Sequence, residues 1–416
     1  MERRRVLATL AVVALLVVAG CQSPGAPQSS DGGAPTATAT TDPATTRATT
    51  DSTTTESATP TANSSDGLVR VDDDFGFDVP PIYHRVGRML EVPRTDRPEV
   101  QVRTEDPPDD GGSVVARPQG FVGLVGIVPQ NPVGGDESVG TAAVARGTLV
   151  TVYSDGDLNA TLTESTLAHE FVHVYQFTVH DPRTAVTALE PNRNNARLTE
   201  VVVEGSAEYV QEEYEIRHQD RDDDQTEFSA AWKRAPAFQR WTVASYVYGS
   251  RYVELRIDDP ANVTDVYQNP PRSTEQVIHG FAPDEEPVAD LTVSADTSGP
   301  FAWSNAATKG ELFARIALST ELDWERAAAA AEGWGADRLL TFSDGDRAGY
   351  AWALRWDDDS EADEFRDAFA DYDDRNDERF RLEAVSDETV VVFAGADDFV
   401  ENATATGDSS GVTVST

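Results

Sequence analysis

The chain predicts an α+β fold, on three observations. Short apolar stretches of strand character come first, at Val100–Val102, Phe121–Val128 and Thr148–Tyr153. Three long helical segments follow, at Thr161–Thr178, Asn195–His218 and Trp241–Ile257. The last part then reads strand (Ala348–Arg355), helix (Glu361–Tyr372) and strand (Glu388–Phe393). No internal repeat interrupts this order.

Each element has a local reason. Tyr83–Leu90 is predicted as a helix ahead of the first strand. The loop-rich stretches between strands carry Pro107, Pro108, Gly111, Gly112, Gly134 and Gly135. Thr161-Leu162-Thr163-Glu164 has the form of a capping box and opens the first long helix. After a linker rich in Pro and Asp, Lys309–Leu318 and the Ala-rich Trp324–Glu332 are predicted as two further helices. Thr148–Tyr153 is taken as an edge strand able to pair with an extended peptide.

The N-terminus carries an address. Arg3, Arg4 and Arg5 precede the apolar run Val6–Val18, which is too short to cross a membrane comfortably. This reads as a signal peptide over residues 1–20. Val18-Ala19-Gly20-Cys21 resembles a lipobox, which implies lipid on Cys21 and a membrane anchor at the outer cell surface. Cys21 is the only cysteine, so no internal disulfide can form. Residues 21–66 hold 13 Thr and no large apolar side chain. Such a segment cannot bury enough surface to offset its ordering entropy and reads as a stalk. Asn63, Asn159, Asn262 and Asn402 lie in glycosylation sequons. The remainder divides into an α+β sheet region (67–155), a helical metal-binding region (156–285) and a C-terminal α+β region (286–416).

The chain of 416 residues carries a net charge of −40. Lys233 and Lys309 are its only lysines among 33 Lys and Arg. The acid is dispersed rather than blocked, as in proteins of salt-loving archaea, which it resembles. Many carboxylates hold a hydrated surface, and concentrated salt screens their repulsion. No basic face is apparent, which argues against nucleic acid as a partner.

The chemistry is concentrated in Leu167-Ala-His169-Glu170-Phe-Val-His173-Val-Tyr-Gln176. On a helix, side chains four residues apart are neighbours, with Cβ atoms about 6 Å apart. His169 and His173 can therefore point at one Zn²⁺, with Glu170 beside it to take a proton from water. The chain has six His, so two at this spacing around a Glu are unlikely by accident. A catalytic zinc site takes a third protein ligand. Glu200, Glu204 and Glu208 lie on one face of the next helix. Glu204 opens Glu-Gly-Ser-Ala-Glu, which resembles the gluzincin pattern of a downstream Glu ligand followed by Gly-x-Ala. The resemblance makes Glu204 the expected ligand, with Glu208 one turn on to orient a ligand histidine. Gly205 and Ala207 are small enough to let helices approach closely. Amide hydrolysis also needs a group to hold a developing oxyanion, for which Tyr246, Tyr248 and His279 are candidates.

These segments carry a broader resemblance. His169-Glu-Phe-Val-His173-Val-Tyr-Gln176, Glu204-Gly-Ser-Ala207, Pro270-Pro-Arg-Ser-Thr-Glu-Gln-Val-Ile-His279, Gly310-Glu-Leu-Phe and Gly333-Trp-Gly-Ala-Asp337 stand in this order over about residues 80–400. They resemble a family of gluzincin-like surface lipoproteins of bacteria and archaea. The resemblance implies a metal-dependent hydrolase of the thermolysin-like clan, with a sheet packed on the two metal-bearing helices; on this basis the chain is read as a zinc metallopeptidase acting on peptide or protein. It also strengthens His279 as a catalytic candidate. Where that family often continues with Asp-Gln, this chain has Phe177-Thr178. Two other readings fit the same motif: a surface-binding lipoprotein whose metal is structural, and a hydrolase of a non-peptide amide. The composition yields one expected outcome. The melting temperature of the folded chain should rise from low to molar salt, and a flat profile in a thermal scan would overturn the salt-adapted reading.

Overall fold

The computed structural model describes residues 69–93, 98–104, 120–129, 142–154, 158–189, 195–221 and 232–416. The signal peptide, Cys21, the stalk with Asn63, and the prolines and glycines at 107–112 and 134–135 lie outside them.

The N-terminal sheet is mixed. Its strands are β1 (Arg70–Val71), β2 (Glu99–Arg103), β3 (Ala142–Arg146) and β4 (Leu149–Tyr153), in the order β1-β2-β4-β3. β1, β2 and β4 run parallel, and β3 turns back antiparallel on β4. Gly147, at φ +63°, supplies the left-handed position of the tight turn between β3 and β4. The edge expectation is corrected here. β4 is bonded on both sides, and β3 is the outer strand on that side.

A second expectation also changes. Phe121–Val128 was predicted as a strand but forms one helical turn, α2 (Phe121–Leu124), after α1 (Pro80–Met89). Gly120 and Gly126 sit at φ +70° and +78°, and this left-handed backbone breaks an extended run at both ends. The apolar character serves burial instead: Phe121, Val125 and Ile127 enter the core beneath the C-terminal sheet.

The first long helix, α3 (Ala160–Thr178), is capped by Asn159, whose side-chain oxygen accepts the Leu162 amide at 3.1 Å. The predicted capping box is thus displaced. Glu164 turns away to Arg85 at 2.8 Å and to the Tyr214 hydroxyl at 2.6 Å. α3 packs on the sheet and on α1, where Tyr175 stacks on Tyr83 with ring centroids 4.8 Å apart.

After α4 (Arg183–Thr187) come the two helices that organise the middle of the molecule, α5 (Asn195–His218) and α6 (Ala237–Arg256). α6 starts four residues ahead of Trp241, directly after Pro236. Two short helices follow, α7 (Val263–Gln268) and α8 (Thr274–His279).

The C-terminal part has more strands than its sequence signalled. Helices α9 (Glu311–Leu318), α10 (Trp324–Ala329) and α11 (Asp359–Asp373) cover one face of a five-stranded antiparallel sheet. Its strands are β6 (Ala302–Ala307), β7 (Trp334–Asp344), β8 (Arg347–Trp356), β9 (Phe380–Ala384) and β10 (Thr389–Gly395), ordered β6-β7-β8-β10-β9. The other face carries α12 (Asp397–Asn402) and a small sheet of β5 (Thr292–Asp296), β11 (Thr404–Gly407) and β12 (Gly411–Ser415). β10 shows why its segment reads as one apolar run. Val390, Val392 and Ala394 enter the core on the helical side, while Val391 and Phe393 enter the other. Each fully buried Val or Phe stabilises by about 1.5–3 kcal/mol.

α5 and α6 meet backbone to backbone at Gly205 and Gly249. A methyl group on Gly249 would lie 2.6 Å from the Val201 carbonyl oxygen and 2.8 Å from the Gly205 Cα. Main chain cannot yield as a flexible side chain can. Gly249→Ala gains about 1 kcal/mol of helix propensity but forces the helices apart. We expect a net loss of about 1–3 kcal/mol in denaturant unfolding. An unchanged midpoint would mean that the two helices do not cross at this contact.

Candidate metal centre

α3 carries His169, Glu170 and His173 at the i, i+1, i+4 positions, all wholly buried. α5 brings Glu204 against them, 6% exposed. The Nε2 atoms of His169 and His173 lie 3.1 Å apart. Glu204 Oε2 is 3.2 Å from His173 Nε2 and 3.5 Å from His169 Nε2. One ligand atom from each residue falls within 4.8 Å of the others, so this buried group could hold a metal ion. The donor set supports that fit. Two imidazole nitrogens and a carboxylate oxygen converge on one point, out of water, with no other side chain satisfying Glu204 Oε2.

The electrostatics are those of ligands kept ready. Burial pushes the His169 imidazole below its ordinary value, despite the Glu204 carboxylate beside it, which favours the neutral form that binds metal. Burial alone would raise Glu204, but the charges and hydrogen bonds of His173 and His169 outweigh it and hold the carboxyl at about 2. Glu170 goes the other way. Burial lifts it to about 7, while His173 and the Ala145 main chain on β3 act against the rise. No side chain hydrogen-bonds either Glu170 oxygen.

A group with no role assigned from sequence holds His173 in place. Gln176 Oε1 lies 2.8 Å from His173 Nδ1, which fixes Nδ1 as the protonated nitrogen and leaves Nε2 free for a metal. The Gln176 amide nitrogen donates to the Val203 carbonyl on α5 and to the Tyr267 hydroxyl on α7, both at 3.0 Å. The available signal was the i, i+3 spacing of His173 and Gln176 on one helix. Tyr267 gave no such signal, because α7 reaches the site only through the fold.

Glu208 stands 3.7 Å from His169 Nδ1, near enough for charge interaction and too far for a hydrogen bond. Burial, with Glu212 and Glu215 close by, raises its carboxyl well above the usual range. Glu200 points elsewhere. It pairs with Arg197 at 2.9 Å, and its side chain is 53% exposed. Tyr246 lays its ring beside His169, with centroids 6.1 Å apart. Tyr248 and His279 gather around a different ion pair, between Arg315 and Glu311. His279 Nε2 lies 3.3 Å from both Glu311 and Arg315, and its ring stacks on Phe281. Tyr248 packs edge-on to Trp232. Burial lifts its hydroxyl to about 12, against the charge of Arg315. Among the described contacts, neither residue touches His169, Glu170, His173 or Glu204. Gly205, next to Glu204, uses its small size toward α6 rather than toward α3.

The Gln176 contacts lead to an expected outcome. Gln176→Ala should weaken zinc affinity by about 10–100-fold in a chelator competition, because His173 loses its orienting partner. Gln176→Glu, which keeps an acceptor for Nδ1–H, should recover part of the loss. Equal affinity in all three chains would show that the contact does not position the ligand.

A protein-family comparison matches residues 300–416 to a family described as "Domain of unknown function (DUF8575)". The matched span covers the five-stranded sheet and none of the metal-centre residues. No curated protein and no solved structure matches the chain.

Proposed function

We propose that this chain is a zinc-dependent metallopeptidase of the gluzincin type, held outside the cell by lipid on Cys21. The observation that carries this reading is the convergence of His169, His173 and Glu204 within 4.8 Å beside the buried Glu170. Two imidazoles and one carboxylate suit zinc and leave a coordination position open for chemistry. When bound there, the ion would supply positive charge that acidifies water and polarises an amide carbonyl.

The protein's own part falls to Glu170. Its carboxylate is buried, has no side-chain partner and is poised near neutral pH, which suits a base that takes a proton and then returns it to a leaving nitrogen. Gln176 keeps His173 in the tautomer that leaves Nε2 free. β3 offers a route for the peptide. Among the described residues it is the outer strand beside α3, and an extended chain would add to its edge through main-chain hydrogen bonds. The acidic, nearly lysine-free surface supports work in concentrated salt outside the cell.

Metal analysis and a peptide-library digest in molar salt test the reading. Wild type should carry about one zinc per chain and cleave peptides. His173→Ala should lose zinc and rate together. Glu170→Gln, nearly the same shape, should keep zinc and lose about 10²–10⁴-fold in rate. Full cleavage by Glu170→Gln with zinc bound would remove Glu170 as the base. The anchor is tested separately: Cys21→Ser should release the chain from membranes or stall its processing, and normal membrane retention of the mutant would rule out a lipid on Cys21.

A further inference from the structure

Three sequence segments take no part in the metal centre: Pro270–His279, Gly310–Phe313 and Gly333–Asp337. The fold brings all three to one cleft of about 600 Å³ between α8 and the C-terminal sheets. Gly310, at φ +80°, lies close against Thr274, whose hydroxyl accepts the Leu312 amide at 3.3 Å. This contact ties α9 to the start of α8 and closes one end of the cleft.

The charges in this cleft differ from those of the molecule around it. Asp337 is fully engaged by its own fold, accepting the amides of Lys309 and Gly310 at 2.8 and 2.5 Å and the Trp334 indole at 3.1 Å. It has little left to offer an incoming cation. Asp290, on the rim, is the other acid of the lining. The bases of the lining are Arg272 and Arg338. Arg338 is steadied on the Thr308 hydroxyl at 3.4 Å. Arg272 is exposed; its backbone N–H donates to Gln276, and its guanidinium has no hydrogen bond or ion pair among the described residues. The lining is thus formally neutral, in a chain whose net charge is −40. An anion is repelled over most of this surface, and here it meets a free guanidinium beside the half-buried Leu291 and Val293.

We propose that this cleft binds a carboxylate-bearing ligand with a short apolar body, its carboxylate held by Arg272, in a lining that Arg338 shares. A guanidinium presents a planar fork that matches a carboxylate bidentately. The proposal does not depend on the metal chemistry, and its test is made on the metal-free full chain, so failure of the peptidase reading leaves it standing.

Isothermal titration calorimetry would use three probes at the lowest salt that keeps the fold: tetra-alanine with a free C-terminus, its C-terminal amide, and glutarate. The free acid should bind about tenfold more tightly than the amide. Arg272→Ala should abolish that preference. The variant should fold, because the side chain is exposed and has no hydrogen bond or ion pair among the described residues. Arg272→Lys, which keeps charge but not the fork, should retain part of the preference. Glutarate binding as tightly as the peptide acid would assign the cleft to small carboxylates, and weaker binding would assign it to peptide C-termini. Equal affinity for acid and amide, no binding of any probe, or an undiminished preference in Arg272→Ala would each overturn the proposal.

Discussion

The close crossing of α5 and α6 is the constraint on which the rest depends. Glu204, the carboxylate of the metal group, and Gly205, the point of nearest backbone approach, are consecutive residues. Neighbours on a helix point about 100° apart. One therefore faces α3 and the histidines while the next faces α6 and Gly249. A helix placed by van der Waals contact between two main chains has little freedom to slide or roll, because there is no side chain at the contact to adjust. The position of Glu204 relative to His169 and His173 thus follows from packing on the far side of its own helix.

That packing sustains an unusual concentration of buried acid. Glu170, Glu204, Glu208 and Glu215 are all buried on α3 and α5, beside the large apolar core of this half of the molecule. Removing carboxylates from water is costly unless charge or hydrogen bonds compensate. Glu204 is compensated by the two histidines. Glu215 accepts from the hydroxyl of Ser165 and the amide of Gln211, and it pairs with Arg221. Glu170 has no side-chain hydrogen bond and Glu208 Oε2 has none, and burial pushes both carboxyls upward. A fold optimised only for stability would not bury two carboxylates so weakly compensated beside a histidine pair. A divalent cation in that group would offset much of the cost, which is the physical case for treating the cluster as a site.

The legible parts of the sequence were those governed by local periodicity. His169, Glu170 and His173 could be placed together because a helix makes four-residue neighbours, and α5 was bounded at Asn195 and His218 by its own pattern. Three kinds of information were absent. Backbone conformation at glycine was one: Phe121–Val128 is apolar enough for a strand, and only the left-handed Gly120 and Gly126 turn it into a helical corner. Propensity was another, since Ala142–Arg146 is rich in alanine and gives no strand signal, yet it forms the outer strand beside Glu170. Tertiary order was the third. That Thr148–Tyr153 lies inside the sheet depends on its parallel pairing with β2, some 50 residues away in sequence. Likewise, the grouping of Tyr248 and His279 around Glu311 and Arg315 depends on where α9 docks.

α6 also joins the metal-bearing half to the part of the chain that matches a family. Tyr252 and Val253 belong to the core around the metal group, whereas Val243 and Ala244 belong to the core under the five-stranded sheet. Contacts run continuously across it. Arg197 of α5 lies 4.0 Å over the Trp241 ring on α6. Trp241 meets Phe313 of α9 edge-on at 5.5 Å, and Phe313 meets Trp352 of β8 in the same way at the same distance. The N-terminal half of α6 is thus held by the C-terminal unit. A helix clamped at one point by main chain and at another by edge-on aromatics transmits position rather than absorbing it. The C-terminal region is therefore part of the structural support of Glu204, although it contributes no residue to the metal group itself.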